Sequence, residues 1–296
     1  MRKTLKNILI SLRPRQWIKN TFLFAPLIFS KNLFNLQRVL IALLGFVVFC
    51  MMSGSVYLFN DLYDRERDKT HPVKRMRPIA SGELQPRAAL VSGIAGVLIG
   101  LSLGYMINLP FFLVLLAYFI LQNLYTYRLK NIFILDIFSI AIGFVLRVIA
   151  GGVIIHVMIS SWLLICTFLL SIFLGLSKRR HELITLGNEA TTHKQILSHY
   201  SSYLLDQMIG VVTASTLICY ILYTVADETV KKFRTHGLIF TFPFVLYGIF
   251  RYLYLIHLKG EGGSPETCLL TDMPLLINIF LWALASFLII YFKPFS

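Results

Sequence analysis

Along the chain, long apolar runs are interrupted by short polar connections, and the runs have the length of bilayer crossings. A hydrocarbon core asks for about 20 apolar residues per helix. Runs of that kind centre near residues 27, 49, 97, 118, 145, 168, 214, 247 and 283. The pattern predicts an all-α polytopic membrane protein of about nine transmembrane helices, forming one domain over 1–296. In the run near 97, Gly93, Gly96, Gly100 and Gly104 make a repeated small face suited to close helix packing. Pro86 is placed to open that helix.

One polar interruption stands apart. Asn60 to Gly82 reads NDLYDRERDKTHPVKRMRPIASG. Continued as a helix, Asn60, Asp64 and Asp68 fall at i, i+4 and i+8, and Asp61 shares their face. Like charges stacked this way repel, more strongly where a membrane lowers the dielectric, so a cation is expected to bridge them. The donors are all oxygen, with no His or Cys at matching spacing. That set suits a hard divalent ion, and Mg²⁺ held by a few carboxylates plus substrate phosphates is the usual case. The metal candidates are therefore Asn60, Asp61, Asp64 and Asp68. Lys74 and Arg77, with Lys69, His71 and Arg75 nearby, are placed to meet anionic oxygens. The alternative is a solvated loop whose acids and bases merely balance, but such a loop needs no single-face register.

Other polar groups collect at the same ends of the apolar runs. Arg13-Pro14-Arg15-Gln16-Trp17-Ile18-Lys19-Asn20 gathers bases and an indole at the first interface, where Trp and Lys anchors are also ordinary. Lys130 closes the run near 118, and Asp136 opens the next. Asp136 and Arg147 are costly in a bilayer and should face protein or a water-filled cavity, although backbone carbonyls alone could satisfy Arg147. Lys178-Arg179-Arg180-His181-Glu182 ends the run near 168. The segment from Lys259 to Asp272 is Gly-rich but lacks the context of a nucleotide-binding loop.

Composition supports the membrane reading: 57% of residues are hydrophobic and 14% charged, with mean hydropathy +0.73. The formal charge is +14. With the N-terminus in the cytoplasm, 20 of the 28 Lys and Arg fall in inner segments and six in outer ones, as the positive-inside rule requires. The charge thus reflects topology and anionic lipid rather than nucleic-acid binding. The expected location is the plasma membrane, multi-pass, with the active face cytoplasmic. The first 20 residues lack the apolar core and cleavage site of a removed signal peptide. Cys50, Cys166, Cys219 and Cys268 show no pairing or metal spacing.

Asn60-Asp61-x-x-Asp64-x-x-x-Asp68, followed by Arg77-Pro78-Ile79-Ala80-Ser81-Gly82, resembles the first aspartate-rich motif of the UbiA superfamily of intramembrane prenyltransferases, a nine-helix fold. In that family an isoprenyl diphosphate binds through Mg²⁺ between two aspartate-rich motifs. At the second, this chain has Lys178-Arg179-Arg180-His181-Glu182 instead of an acid pair. The Arg13–Asn20 stretch, His71-Pro72-x-Lys74-x-x-Arg77-Pro78, and Leu129-Lys130-Asn131 with Asp136, Gly143-Phe144, Leu146-Arg147 and Ala150-Gly151-Gly152 narrow the resemblance to the decaprenyl-phosphate phosphoribosyltransferase branch.

That resemblance implies transfer of 5-phosphoribose from phosphoribosyl pyrophosphate (PRPP) to a polyprenyl phosphate, releasing pyrophosphate. It implies catalytic roles for Asp61, Asp64, Asp68 and Asp136. Substrate contacts are expected from Lys74 and Arg77 to pyrophosphate, from Lys178, Arg179 and Arg180 beside Glu182 to the 5-phosphate, and from Lys19 and Lys130 to lipid phosphate. Arg147 is a further substrate-binding candidate. Membrane lipids are the surrounding partner, and a homo-oligomer is allowed for. Two alternatives stand beside this reading: an aromatic or quinone-forming prenyltransferase of the same fold using a prenyl diphosphate, and a membrane transporter. A transporter should place charges near the midplane on several spans and show clear repeats.

Overall fold

The structure, a computed structural model, describes residues 2–186, 195–260, 268 and 271–292. Among the described residues there are helices and turns but no strands. The chain divides into two compact units, Met1–Met158 and Ile159–Ser296.

The first unit begins with α1 (Arg2–Ser11), a 3₁₀ segment (Pro14–Phe24) and α2 (Ala25–Phe29). It continues through α3 (Leu36–Tyr63), α4 (Arg65–Thr70), α5 (Pro86–Ile107), α6 (Leu109–Tyr127) and α7 (Leu135–Ile154). The second contains α8 (Ser161–Leu186), α9 (Ser202–Val225), α10 (Asp227–Phe233), α11 (Phe242–His257) and α12 (Met273–Phe292). Eight helical stretches among the described residues are long and apolar enough to cross a membrane. This is a multi-pass membrane protein.

Eight of the nine expected spans are continuous helical stretches of this kind; the one near residue 27 is built differently. There the chain runs as eleven residues of 3₁₀ helix followed by the five-residue α2. Its boundaries are written locally. Arg13 takes a left-handed turn at φ 53, and Pro14 supplies the pre-set φ of a helix start. This segment lies against α7 at Gly151, where a Cβ would collide with the Leu23 carbonyl. The missing side chain admits another backbone.

The core of the first unit packs Leu23 and Leu27 with Phe49, Met52, Phe111, Leu115 and Ile154. Pro86 does open α5, and the small face of α5 meets α3 at Phe59, Ser55 and Met52 and meets α6 at Leu115. At the far end of α5, Asn108 joins two helices by itself. Its side chain accepts from the Phe111 N–H at 2.7 Å, capping α6, and donates to the Val153 carbonyl of α7 at 3.3 Å.

In the second unit, Arg251 holds Asp272 through two hydrogen bonds of 3.1 and 2.8 Å, and Asp272 accepts from the Leu275 N–H at the start of α12. These donors, the guanidinium above all, keep the Asp272 carboxyl below the usual carboxylate range. Trp282 donates to the Tyr220 hydroxyl at 2.8 Å, which pairs with Thr241 at 2.7 Å. The expected non-nucleotide segment Lys259–Asp272 lies mostly outside the described residues.

Gly151→Ala should lower the thermal midpoint of detergent-solubilised protein by an amount corresponding to about 1–3 kcal/mol or more, because the obstacle is backbone. Gly210→Ala, where a Cβ meets nothing within 4 Å, should stay within about 0.5 kcal/mol. Equal midpoints for the two variants would show that the Leu23–Gly151 approach is not tight.

Candidate active site

Helix α3 carries Asn60 and Asp61 on its last turn and ends at Asp64, its C-cap residue. The chain nevertheless keeps turning. The Asp64 N–H donates to the Asn60 carbonyl at 2.9 Å, and the Asp68 N–H, now in α4, to the Asp64 carbonyl at 2.8 Å. Asp61 and Asp68 therefore sit two turns apart on one side, each only 2% exposed. Carboxylates so far from water need compensation.

A base of the chain itself, rather than the divalent ion expected, bridges two of the acids. Arg77 Nη1 donates to Asp61 Oδ1 at 3.0 Å and to Asp68 Oδ2 at 2.6 Å. Arg13 also pairs with Asp61 Oδ1, and its guanidinium lies 4.7 Å over the Tyr57 ring. Asp64 faces a different base: Lys130 Nζ donates to its two oxygens at 2.7 and 3.0 Å and sits 4.9 Å over the Tyr63 ring. Asn60 Oδ1 accepts from the Thr126 hydroxyl at 3.3 Å.

Each cation is delivered by its own piece of backbone. Arg77 follows a short 3₁₀ turn (Lys74–Met76) and opens the Pro78–Leu84 reversal, closed by Ser81 N–H to Arg77 O and Leu84 N–H to Pro78 O, both 2.8 Å. Gly82 takes φ 82 there, and Ile79 and Leu84 are buried against Leu58 and Ala89. Asn7 of α1 donates to the Glu83 carbonyl and docks that helix on the reversal. Lys130 lies on the 3₁₀ turn Leu129–Asn131, and the chain then passes through Ile134 at φ 66 into α7. Asp136, in the first turn of α7, is completely buried.

Arg147 occupies the interior of the unit. It donates to Asn20 Oδ1 at 2.8 Å, the Gly143 carbonyl at 2.7 Å and the Tyr118 hydroxyl at 3.0 Å, with its guanidinium 4.9 Å from the Tyr118 ring centre. Asn20 in turn donates to Ser53 and Cys50 of α3. Lys19 and Lys74 are half-buried in the same unit.

In the second unit, Arg179 pairs with Glu182 at 2.6 Å, and Arg180 with Asp206 at 2.5 Å. His257 also reaches Asp206, at 3.2 Å. Lys178 lies half-buried on the same helix.

The candidates thus fall into place unevenly. Asn60, Asp61, Asp64, Asp68, Arg77 and Lys130 come together in the first unit. Arg13, Thr126 and Asp206 are polar partners outside the set expected from the sequence. Arg13 lay in a base-rich stretch that also reads as an interface anchor, and only the folded chain aims it at Asp61.

The UbiA prenyltransferase family model matches residues 21–178. The chain belongs to the UbiA prenyltransferase family. Among UbiA relatives, a Mycolicibacterium smegmatis protein called decaprenyl-phosphate phosphoribosyltransferase is 33% identical, covering 96% of this chain and 92% of its own. One of the same name from Corynebacterium glutamicum is 30% identical, covering 96% of this chain and 86% of its own. A solved UbiA homolog from Archaeoglobus fulgidus bound to GPP and Mg²⁺ matches the fold with TM-score 0.73 at 21% identity, over 96% of this chain and 99% of that one.

The UbiA acid set fits a hard divalent ion by chemistry, since every donor is oxygen and two carboxylates converge on a single cationic atom, Arg77 Nη1. Among the described residues no three His, Cys, Asp or Glu side chains gather as a metal cluster. The chain's own bases hold the acids instead.

Lys130→Met should destabilise the protein by about 1–3 kcal/mol in thermal unfolding, because it leaves Asp64 without its donor. Lys130→Arg should recover most of the loss. An unchanged midpoint in Lys130→Met would place the pair among near-neutral surface ion pairs.

Proposed function

We propose that this UbiA-family chain is a Mg²⁺-dependent polyprenyl-phosphate phosphoribosyltransferase, using PRPP as donor and a decaprenyl-type phosphate as acceptor. The observation that supports it most is the near full-length likeness to proteins bearing that activity's name. The oxygen-donor set with its three attendant bases is the matching chemistry. In this reading the polar end carrying Asp61 faces the cytoplasm of the plasma membrane, an orientation that the positive-inside balance supports.

In this reading Asn60, Asp61, Asp64 and Asp68 hold Mg²⁺, which supplies neutralising charge for the departing pyrophosphate. Arg77 and Lys74 bind pyrophosphate oxygens and orient the leaving group along the line of displacement. Lys178, Arg179 and Arg180 bind the 5-phosphate, with Glu182 steadying Arg179. Lys19 and Lys130 hold the lipid phosphate. The bond from ribose C1 to the pyrophosphate oxygen breaks as a bond from C1 to a lipid phosphate oxygen forms, on the opposite face and with inversion. Pyrophosphate carries away the bonding pair. The acceptor is already ionised near neutral pH, so no general base is needed. Asp136 is assigned to the ribose hydroxyls as positive charge develops at C1, which requires this fully buried carboxylate to become accessible to the donor.

The test is product analysis with purified full-length protein, polyprenyl phosphate and radiolabelled PRPP. Label should enter the organic phase with Mg²⁺ and stay in water without it. Turnover of a prenyl diphosphate with an aromatic acceptor, and none of PRPP, would assign the chain to the prenyl-transferring branch. Asp64→Ala should remove turnover, by at least about 100-fold, while a folded, monodisperse profile is retained; a substantial residual rate would take Asp64 out of the site.

A further inference from the structure

Three carboxylates and three bases make the acid cluster neutral as it stands: Asp61 with Arg13 and Arg77, Asp68 with Arg77, Asp64 with Lys130. The three bases are not equally fixed. Arg13 has a second hold on the Tyr57 ring, and Lys130, its side chain 11% exposed, has one on Tyr63. Arg77 is tied down in its backbone, by the reversal that buries Ile79 and Leu84. Its side chain is as exposed as that of Arg13, 25% against 24%, but among the described residues it has no aromatic hold beside its two acids, and a single nitrogen serves both Asp61 and Asp68.

We propose that Arg77 is an exchangeable counter-ion, standing in for the divalent cation between Asp61 and Asp68 and leaving them when the cation arrives. The inference rests on the acids being a metal site, as read above. A divalent ion added beside an intact Arg77 would give the neutral cluster a charge of +2 in a low-dielectric setting, which Coulomb repulsion opposes. Release of Arg77 relieves it. The freed guanidinium turns toward water on its fixed backbone and, once the donor brings its anionic charge, offers pyrophosphate oxygens a fork-shaped donor. Arg77 is thus a positioning residue for the acids before loading and a leaving-group contact afterwards. Metal and donor binding are coupled through it, because the donor supplies the anion that Arg77 loses.

The prediction runs against the usual expectation for a site residue. Arg77→Gln should bind metal more tightly in the absence of donor, since no ion pair has to be broken first. With purified full-length protein and Mn²⁺ as probe, followed by loss of the free-ion electron paramagnetic resonance signal, the gain should be roughly tenfold. Arg77→Lys, which restores a cation to the same place, should return to wild-type affinity. Equal or weaker Mn²⁺ binding by Arg77→Gln, with the wild type binding normally, overturns the proposal and leaves the metal site standing. No Mn²⁺ binding by any of the three proteins overturns the metal reading and this one with it.

A measurement on the wild type covers the case in which Arg77→Gln does not fold. Phenylglyoxal labelling of Arg77, read by peptide mass spectrometry against Arg13, should accelerate when Mn²⁺ is added. Unchanged or slower labelling of Arg77 in the presence of bound Mn²⁺ overturns the exchange.

Discussion

Carboxylates withdrawn from water at the end of an apolar helix can stay ionised only beside positive charge, and the first unit is arranged around that requirement. Asp61 and Asp68 are each 2% exposed. The bases that answer the three acids come from separate stretches: Arg13 before the 3₁₀ segment, Arg77 from the reversal after α4, and Lys130 from the turn between α6 and α7. Satisfying the acids therefore requires four parts of the chain to meet. A buried charge without a partner costs several kcal/mol, so the pairing also selects among ways of packing the helices.

A second buried cation does the same in the interior. Arg147 reaches Asn20, Gly143 and Tyr118, and Asn20 reaches on to Ser53 and Cys50. The 3₁₀ segment is thereby tied to both α3 and α7. Its backbone forgoes a regular α-helical ladder, and this polar network plus the close approach at Gly151 hold it in place. Arg147 thus satisfies itself with one backbone carbonyl and two side-chain oxygens.

Much of this was legible in the sequence, and the limits have physical causes. Hydropathy found eight spans as single apolar helical stretches, and for the run near residue 27 it could not tell 3₁₀ winding from α-helix, because it counts apolar residues without sensing how the backbone turns. Arg13, Pro14 and Pro26 marked the irregularity locally, yet the run around residue 27 is apolar enough to hide it. Helical spacing put Asn60, Asp61, Asp64 and Asp68 on one face; the i to i+4 bonds continue across the break at Asp64, yet only Asp61 and Asp68 meet at one base, while Asp64 turns to Lys130 and Asn60 to Thr126. What spacing could not supply was the identity of each partner. Arg77, sixteen residues from Asp61, was within reach of a local argument. Arg13 and Lys130 are long-range partners, and a run of bases in a membrane protein reads equally well as topology.

The contact made by Asn108 gives the first unit a mechanical asymmetry. One residue ends α5, caps α6 and bonds the last turn of α7, so three long helices are laced together at the end away from the acids. At the opposite end the same helices are joined by reversals and 3₁₀ turns whose side chains make the ion pairs. The unit resembles a bundle of rods bound at its base. Small rearrangements at the mouth can then proceed by exchanging partners while the shaft keeps its packing.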